Sequence, residues 1–366
     1  MKPKIMPRIL VDARMVGPIP HGISRYVSYL AQALKELEKS RGLTYRVTFL
    51  VNQDFPHHHF FSFEILRLKS KFLSAREMTE IPRTLANAKA DLYHSPSFSS
   101  LFTCPCPSMV TVHDLNHLHY GNLPKKLYYK ILLKKFALES RAIITVSEFS
   151  RRELSDWLKV PDERIEIVYN VIGEPTENPK DTSLLKKHGL EPGSFFFCLS
   201  NPKPHKNLNK LTEAYRLFTA QKKEPWPLVI TVDPQFISGS KSIKSIGSLP
   251  ENETAILLKS AAGAFFPSRY EGFGLPPVEA AVAGIPIAVS QIPPHREGLG
   301  DLKPWEAFWA DPDDIHGWVS AFHKISRNEI TAPSAESRQK ILDRFNLKRM
   351  GDRMDQIYKR VLGLEP

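Results

Sequence analysis

The stretch Pro267-Ser-Arg-Tyr-Glu-Gly-Phe-Gly-Leu-Pro-Pro-Val-Glu279 decides the fold of this 366-residue chain. The apolar run 263–266 precedes it, and an alanine-rich segment and a second apolar run, 285–289, follow it. This order predicts a strand, a loop, a helix and another strand. Because two consecutive prolines suit only the first turn of a helix, we expect the helix to begin near Leu275.

The loop in this stretch has the features of an anion-binding site. Gly272 and Gly274 permit close approach to the backbone, and the first N–H groups of a helix have no partner within it. Glu271 and Glu279, with seven residues between them, flank that point. Because carboxylates repel a phosphate, we expect the two glutamates to accept hydrogen bonds from sugar hydroxyls on either side of bound phosphates.

Length and composition predict a globular protein with two domains. The chain is longer than one ordinary core supports, and 42% of its residues are hydrophobic and 24% charged. No apolar stretch approaches the roughly 20 residues that span a bilayer, and residues 1–7 lack the apolar core of a signal peptide. We therefore expect a cytoplasmic protein.

The cysteines and histidines do not favour a metal site. The chain has three cysteines, at positions 104, 106 and 198, which fit free thiols better than a disulfide framework or a zinc site. Three adjacent histidines, His57, His58 and His59, favour a surface loop over a metal site. We expect neither a metal ion nor another cofactor.

The positive charge is concentrated in the first half of the chain. Residues 1–172 contain 25 Lys and Arg against 16 Asp and Glu, whereas the remainder contains 25 against 23. This surplus favours an anionic partner such as lipid head groups, a phosphorylated acceptor or nucleic acid, with an ordinary solvated surface as an equal alternative.

The helix predicted from Leu123 to Arg141 is both basic and apolar. It either lies on an anionic membrane surface or packs with a solvated lysine face, and we favour packing.

The first half alternates predicted strands and helices. Ser24 is expected to cap a helix after the loop 17–23, which lacks the G-x-G-x-x-G spacing of a dinucleotide site. Residues 62–89 allow no assignment. His113-Asp114 ends a predicted strand, where open α/β sheets build their sites, and a structural histidine is the alternative. The predicted strands are 8–11, 45–51, 90–94, 108–112, 142–146 and 165–168.

The second half repeats this organisation. The proline-containing segment 173–193 is interpreted as interdomain, and a helix is expected to start at Asp311-Pro312. A polar, basic loop with Asn201, His205 and Lys206 follows the first strand of this half. The predicted strands are 195–199, 228–232, 263–266 and 285–289.

These patterns predict an α/β protein with two Rossmann-like domains, 1–172 and 173–345, that face each other across a cleft. A C-terminal helix at about 346–366 is expected to pack back onto the first domain. Loops from both domains would meet in the cleft. There Lys206 and the helix start near Gly274 would together hold a diphosphate.

The segment 268–286 resembles the E-x7-E signature of the retaining glycosyltransferases of family four, which have the GT-B fold. The similarity covers most of the chain and is strongest to the mannosyltransferase-like branch. Further similar motifs are Gly22-Ile-Ser-Arg-Tyr26, Val112-His-Asp114, Thr145-Val-Ser-Glu-Phe-Ser150, Lys206-Asn207 and Ile292-Pro-Pro-His-Arg-Glu297.

This resemblance implies a hexosyltransferase that needs no metal. A hexose, with a mannose-like donor favoured, would pass from a nucleotide-diphosphate sugar to a glycan or lipid-linked acceptor with retention of configuration. The implied catalytic residues are Glu271 against the donor sugar, Lys206 on the diphosphate and His113 near the reacting sugar from the opposite domain. Glu279 would bind the nucleotide ribose. The other implied donor-binding residues are Gly272, Phe273, Gly274, Leu275, Asn201, His205 and Gly22.

The sequence also departs from the family pattern. His205 stands where many members have arginine, Asp233-Pro234 replaces a glycine pair, and Ser24 replaces a usual glycine. These departures keep open a catalytically silent protein of the same fold that binds a nucleotide sugar or a glycan. Nucleic acid is not an expected partner, because aromatic stacking motifs are missing. A peripheral position at the inner face of the membrane remains an alternative to a purely cytoplasmic one.

Overall fold

The computed structural model describes residues 6–17, 21–54, 63–173, 183–220, 222–236 and 242–365. The three histidines at 57–59 lie outside these residues. The chain divides into two compact units, Met1–Val171 together with Phe345–Pro366, and Ile172–Arg344. None of the helices described in these ranges is long and apolar enough to cross a membrane.

The first unit is built on a parallel sheet. Its strands are β1 (Arg8–Asp12), β2 (Arg46–Asn52), β3 (Glu64–Leu68), β4 (Leu92–Ser95), β5 (Ser108–Thr111), β6 (Ala142–Thr145) and β7 (Ile165–Ile167). Among the described residues these seven strands pair in the order β3-β2-β1-β4-β5-β6-β7. Strands such as β4 and β6 are buried at every position, which explains why they appear in the sequence as continuous short runs.

The helices of the first unit before residue 171 cover the sheet. They are α1 (Gly22–Arg41), α2 (Glu77–Asn87), α3 (Asn116–His119), α4 (Leu123–Tyr128), α5 (Lys134–Glu139) and α6 (Glu148–Leu158), with a π-helical turn at Tyr129–Leu133 between α4 and α5. The apolar positions of α1 at three- and four-residue steps, from Val27 to Leu37, are buried as their spacing predicts.

The second unit contains another parallel sheet. Its strands are β8 (Phe196–Cys198), β9 (Leu228–Ile230), β10 (Ile243–Ser245), β11 (Gly263–Phe266), β12 (Ile287–Ser290) and β13 (Ala307–Ala310). In the described part of this unit the six strands pair in the order β10-β9-β8-β11-β12-β13. Its helices are α7 (Ser183–Lys187), α8 (Leu208–Thr219), α9 (Glu251–Ser260), α10 (Leu275–Val282), α11 (Pro293–Leu299), α12 (Ile315–Ser326) and α13 (Ala335–Arg344).

An aromatic core holds β8 and β11 side by side. Phe322 of α12 stacks on Phe265 of β11 with ring centroids 4.2 Å apart, and it meets Phe196 of β8 edge to face at 5.0 Å. All three rings are fully buried. This packing fixes the two strands whose following loops carry the predicted site.

The last helix, α14 (Leu347–Leu362), packs against α1 within the first unit. Gly351 permits the close approach, because an added Cβ there would lie 3.2 Å from the carbonyl oxygen of Ala33. Asp355 fixes the contact: its Oδ1 accepts a hydrogen bond from Tyr45 at 2.8 Å, and its Oδ2 lies 2.8 Å from Nη2 of Arg41.

Two predicted helix starts were wrong. His21, not Ser24, is the N-cap of α1; Ser24 lies three residues further on, and its hydroxyl accepts the N–H of His21 at 2.7 Å. Asp311-Pro312 precedes α12 without starting it, because Asp311 accepts the N–H of Asp313 at 2.8 Å in a turn and Asp314 is the N-cap.

Candidate active site

The predicted site loops of the second unit meet at one edge of its sheet. Strand order reverses between β8 and β11, which are hydrogen-bonded neighbours, while the chain continues from β8 to β9 on one side and from β11 to β12 on the other. In open parallel sheets, ligands bind outside the carboxyl ends of the strands at such a reversal. The loop with Lys206 leaves β8 there, and the loop with Glu271 leaves β11.

Lys206 and Glu271 form an ion pair at this point. Nζ of Lys206 lies 2.6 Å from Oε1 of Glu271, and the hydroxyl of Ser268 donates to the same oxygen at 2.6 Å. Both charged side chains are 14% exposed. Burial opposes ionisation of Glu271, but the Lys206 ammonium and the hydrogen bonds from Lys206 and Ser268 hold its pKa below the usual value. The carboxylate is therefore ionised at neutral pH.

The backbone connects the two loops directly. The N–H of Arg269 donates to the carbonyl oxygen of His205 at 2.7 Å. Asn207, which follows Lys206, adopts a left-handed conformation with φ +55°, and its Nδ2 donates to the carbonyl oxygen of Pro312 at 2.6 Å. The position of Lys206 thus depends on two neighbouring loops.

Two of the predicted donor-binding residues lie in the loop after β8. His205 is buried within the loop, and the side chain of Asn201 accepts the N–H of Lys203 at 3.3 Å. Both residues therefore lie at the edge of the sheet where Lys206 is found. Their predicted contacts with a donor stay predictions.

The helix of the opening motif starts where the sequence indicates. α10 begins at Leu275, its N-cap is Gly274 with φ +87°, and no described side chain caps its N-terminal N–H groups. Gly272 and Phe273 are buried directly before it, and Glu279 is half-buried in its second turn. Pro276 and Pro277 have no N–H, so the start of this eight-residue helix directs its dipole and the N–H of Leu275 into the region where the Glu271 loop meets Lys206.

His295 is a site residue that the sequence reasoning missed. The ring is fully buried, and a Cβ added at Gly274 would lie 2.7 Å from its Cδ2. Its Nδ1 lies 3.0 Å from the carbonyl oxygen of Ser290, so Nδ1 carries the proton. Burial lowers the pKa of His295 to about 4, and its Nε2 has no hydrogen-bond partner among the described residues. His295 is thus neutral and fills the space that only glycine leaves at position 274.

The predicted residues of the first unit lie at the end of β5 and the start of α1. Nε2 of His113 lies 2.9 Å from the carbonyl oxygen of Pro96, and its ring meets Tyr26 of α1 edge to face, with centroids 4.8 Å apart. Burial lowers the pKa of His113 below the usual value. Gly22 is the first residue of α1, and an added Cβ there would meet nothing within 4 Å.

Each unit thus assembles its own predicted residues. The second unit brings Lys206, Glu271 and the start of α10 together, and the first places His113 beside the N-terminal half of α1. The predicted approach of His113 to the donor sugar held by Glu271 stays a prediction. Within the described residues, no group of three or more His, Cys, Asp or Glu side chains is placed to hold a metal ion.

Two family profiles match the chain in succession. The profile described as Glycosyltransferase Family 4 matches residues 20–173, and the profile described as Glycosyl transferases group 1 matches residues 180–342. The chain belongs to glycosyltransferase family 4, with the α/β GT-B fold of two Rossmann-like domains. Its similarity to mannosyltransferases places it near the mannosyltransferase-like branch.

Two curated relatives are O-antigen mannosyltransferases. The chain is 27% identical over 226 residues to O-antigen chain mannosyltransferase RfbU of Salmonella typhimurium, covering 60% of each protein. It is 26% identical over 260 residues to O-antigen chain mannosyltransferase B of Escherichia coli, covering 63% of this chain and 64% of the relative. The matches therefore span less than two thirds of the length of these relatives.

Solved structures support the fold over almost the whole chain. Sucrose-phosphate synthase from Thermosynechococcus elongatus superimposes with a TM-score of 0.73 at 15% identity, covering 98% of this chain and 99% of that one. Anabaena Alr3699/HepE in complex with UDP and glucose gives a TM-score of 0.73 at 14% identity, covering 96% and 99%. At these identities the likeness concerns the fold alone.

Proposed function

We propose that this protein is a retaining hexosyltransferase that moves a sugar, with mannose favoured, from a nucleotide-diphosphate sugar to a glycan or lipid-linked acceptor. The observation that carries the proposal is the Lys206–Glu271 pair beside the uncapped start of α10, at the strand-order reversal of the second sheet. The mannose preference rests on the names of the O-antigen mannosyltransferases to which the chain is similar.

The chemistry of such a transfer requires stabilisation of a departing diphosphate. Breaking the bond between sugar and phosphate builds negative charge on the diphosphate oxygens. The ammonium of Lys206 and the N–H groups at Gly272 to Leu275 are preorganised donors for that charge, and one such donor is commonly worth about 100- to 1,000-fold in rate. A bound metal ion is not required in this scheme, because a lysine and a helix N-terminus provide the positive potential.

Glu271 has a different task from Lys206. Because its carboxylate stays ionised, it accepts hydrogen bonds from hydroxyls of the donor sugar and disfavours a phosphate at its own position. Lys206 connects the two regions, since its ammonium can donate to Glu271 and to a diphosphate oxygen at once. Glu279, one turn into α10, is the proposed acceptor for the ribose hydroxyls.

Ligand binding tests the proposal first. Thermal melts with UDP, GDP, ADP and their sugars should show one base family that raises the melting temperature, because a ligand that binds only the native state stabilises it. Transfer or hydrolysis of the matching nucleotide sugar should then persist in excess EDTA. Glu271→Gln and Lys206→Gln should each abolish turnover. If no nucleotide binds and both variants behave as the wild type, the proposal is wrong.

A catalytically silent binding protein is the second candidate. Many family members have an arginine at position 205 that would contact the second phosphate, whereas this chain has a buried histidine there. The loss of that arginine contact favours the second candidate. Tight binding of a nucleotide sugar without transfer or hydrolysis would support this candidate.

For the enzyme, we propose a cytoplasmic location with peripheral attachment to the membrane.

A further inference from the structure

The helical segment formed by α4, the π-helical turn and α5 has two apolar faces. Its inner face is packed in the core of the first unit through Tyr129, Leu132, Leu133, Phe136 and Ala137. Its outer face carries Leu123, Leu127 and Ile131, which are 77%, 53% and 57% exposed. Packing in the core therefore does not account for the three exposed apolar residues of this segment.

The exposed side chains are aligned. Leu123, Leu127 and Ile131 follow each other at steps of four residues, slightly more than one α-helical turn and slightly less than one π-helical turn. Because the segment combines both kinds of turn, the three side chains stay on one stripe. We name these three residues the apolar stripe.

Other exposed apolar groups extend this surface. Leu138 is exposed two turns beyond Ile131, and Phe102, from the loop between β4 and β5, is held next to α5 because Nζ of Lys135 donates to its carbonyl oxygen at 3.0 Å. Of the eleven large apolar side chains exposed in the described part of the chain, six lie between residues 102 and 138. Such a concentration marks an interaction site on an otherwise soluble surface.

Lysines border the stripe. Lys126 and Lys130 follow Leu123 and Leu127 by three residues each and therefore lie beside the stripe; Lys126 is partly exposed and Lys130 exposed. Lys135 is half-exposed, 3.7 Å from Glu139. Lys134 is directed elsewhere, since its Nζ donates to the carbonyl oxygen of Trp157 at 2.8 Å. Residues 121–141 contain six Lys and Arg and a single acidic residue, Glu139. The stripe is thus apolar along its centre and positive along its border.

We propose that this surface docks on an anionic lipid bilayer. The apolar stripe would enter the head-group region, while Lys126 and Lys130 extend along it to anionic head groups. A protein partner fits less well, because lysine is depleted from the centres of protein interfaces, whereas basic and aliphatic residues alternate on helices that lie at membrane surfaces. The surface belongs to the first unit alone and does not depend on the proposed transfer reaction.

Vesicle co-sedimentation of the full chain tests the proposal. The wild type should sediment with phosphatidylcholine vesicles in which about a third of the lipid is phosphatidylglycerol, and much less with pure phosphatidylcholine. Lys126→Gln/Lys130→Gln should weaken binding about 30-fold, since each lysine near an anionic surface contributes about five-fold. Leu127→Ser/Ile131→Ser should weaken it by about 10-fold or more. High salt should reduce the difference between wild type and lysine variant.

Matched variants control for charge and for apolar exposure. Lys340→Gln/Lys348→Gln changes the net charge equally on α13 and α14, and Leu217→Ser removes an exposed leucine of α8; both should bind as the wild type. Unchanged thermal melts show that each variant is folded, and nucleotide binding reports separately on the proposed function. Equal binding to neutral and anionic vesicles, or equal loss in test and control variants, would overturn the docking proposal.

Discussion

The ammonium of Lys206 lies 2.6 Å from Oε1 of Glu271, and the two residues come from loops that follow adjacent parallel strands. The pair is mostly withdrawn from water, so each charge depends on the other. Removing one partner of a buried pair leaves an uncompensated charge, whereas removing both does not. Stability and activity should therefore respond differently to single and double variants.

We predict strong coupling between these two residues in a double-mutant cycle. Lys206→Gln and Glu271→Gln should each lower the free energy of unfolding by about 1–3 kcal/mol, and the double variant should lose less than the sum. All three should lack transferase activity. Urea unfolding measures the coupling, and additive losses would show that the two charges are independently solvated.

Gly274 should tolerate substitution less well than another glycine with a similar backbone. Alanine at position 274 would have to adopt a positive φ, which is unfavourable for a residue with a Cβ. It would also place that Cβ 2.7 Å from Cδ2 of His295. Gly193 is the matched control in the same unit, because its φ is +70° and an added Cβ meets nothing within 4 Å. We expect Gly193→Ala to cost about 1–2 kcal/mol and Gly274→Ala at least about 1 kcal/mol more. Equal costs in chemical denaturation would mean that His295 moves aside freely.

The local parts of this site could be predicted from the sequence. Two prolines set the start of α10, and the glycines and glutamates around it are neighbours in the chain, so short-range rules suffice. The order of the strands also places the Lys206 loop beside the Glu271 loop, once a doubly wound sheet is assumed. The helix start depends on neighbouring residues alone, whereas the meeting of Lys206 and Glu271, 65 residues apart, depends on the assumed order of the strands.

Features that depend on distant partners could not be predicted. His295 contacts Gly274 only because α11 packs beside α10, and no periodicity in the sequence reports that contact. The segment 62–89 contains β3 and α2, but β3 is stabilised by pairing with β2 and by the hydrogen bond from Thr48 to Glu64 at 3.2 Å. Tertiary pairing, not local propensity, makes this strand.

The packing of α14 on α1 should depend on one carboxylate. Asp355 accepts a hydrogen bond from the hydroxyl of buried Tyr45 and lies close to Arg41 and Lys359, so Asp355→Ala leaves a buried hydroxyl without its acceptor. We expect a loss of about 1–3 kcal/mol in the free energy of unfolding. Asp352→Ala, one turn earlier on the exposed side, also removes a contact with Arg41 but should cost under about 1 kcal/mol. Similar losses for both variants in urea unfolding would contradict this role.

Glu306 should make the stability of the protein depend on acidity. The residue is buried, which opposes ionisation, but the Ser337 hydroxyl and the N–H groups of Lys303 and Ser334 donate to its carboxylate at 2.7, 2.9 and 2.8 Å. These hydrogen bonds lower its pKa to about 2. A carboxylate with a depressed pKa stabilises the fold at pH values above its unfolded-state pKa, and this contribution is lost as the pH falls through its folded-state pKa.

We expect Glu306→Gln to cost about 3 kcal/mol of unfolding free energy at pH 7. This difference from the wild type should shrink as the pH falls from about 4.5 towards 2. Urea unfolding at several pH values measures this difference, with Glu191→Gln, at an exposed position of the same unit, as the control. A difference between wild type and Glu306→Gln that stays constant down to the acid limit would mean that the carboxylate is not held ionised by these three donors.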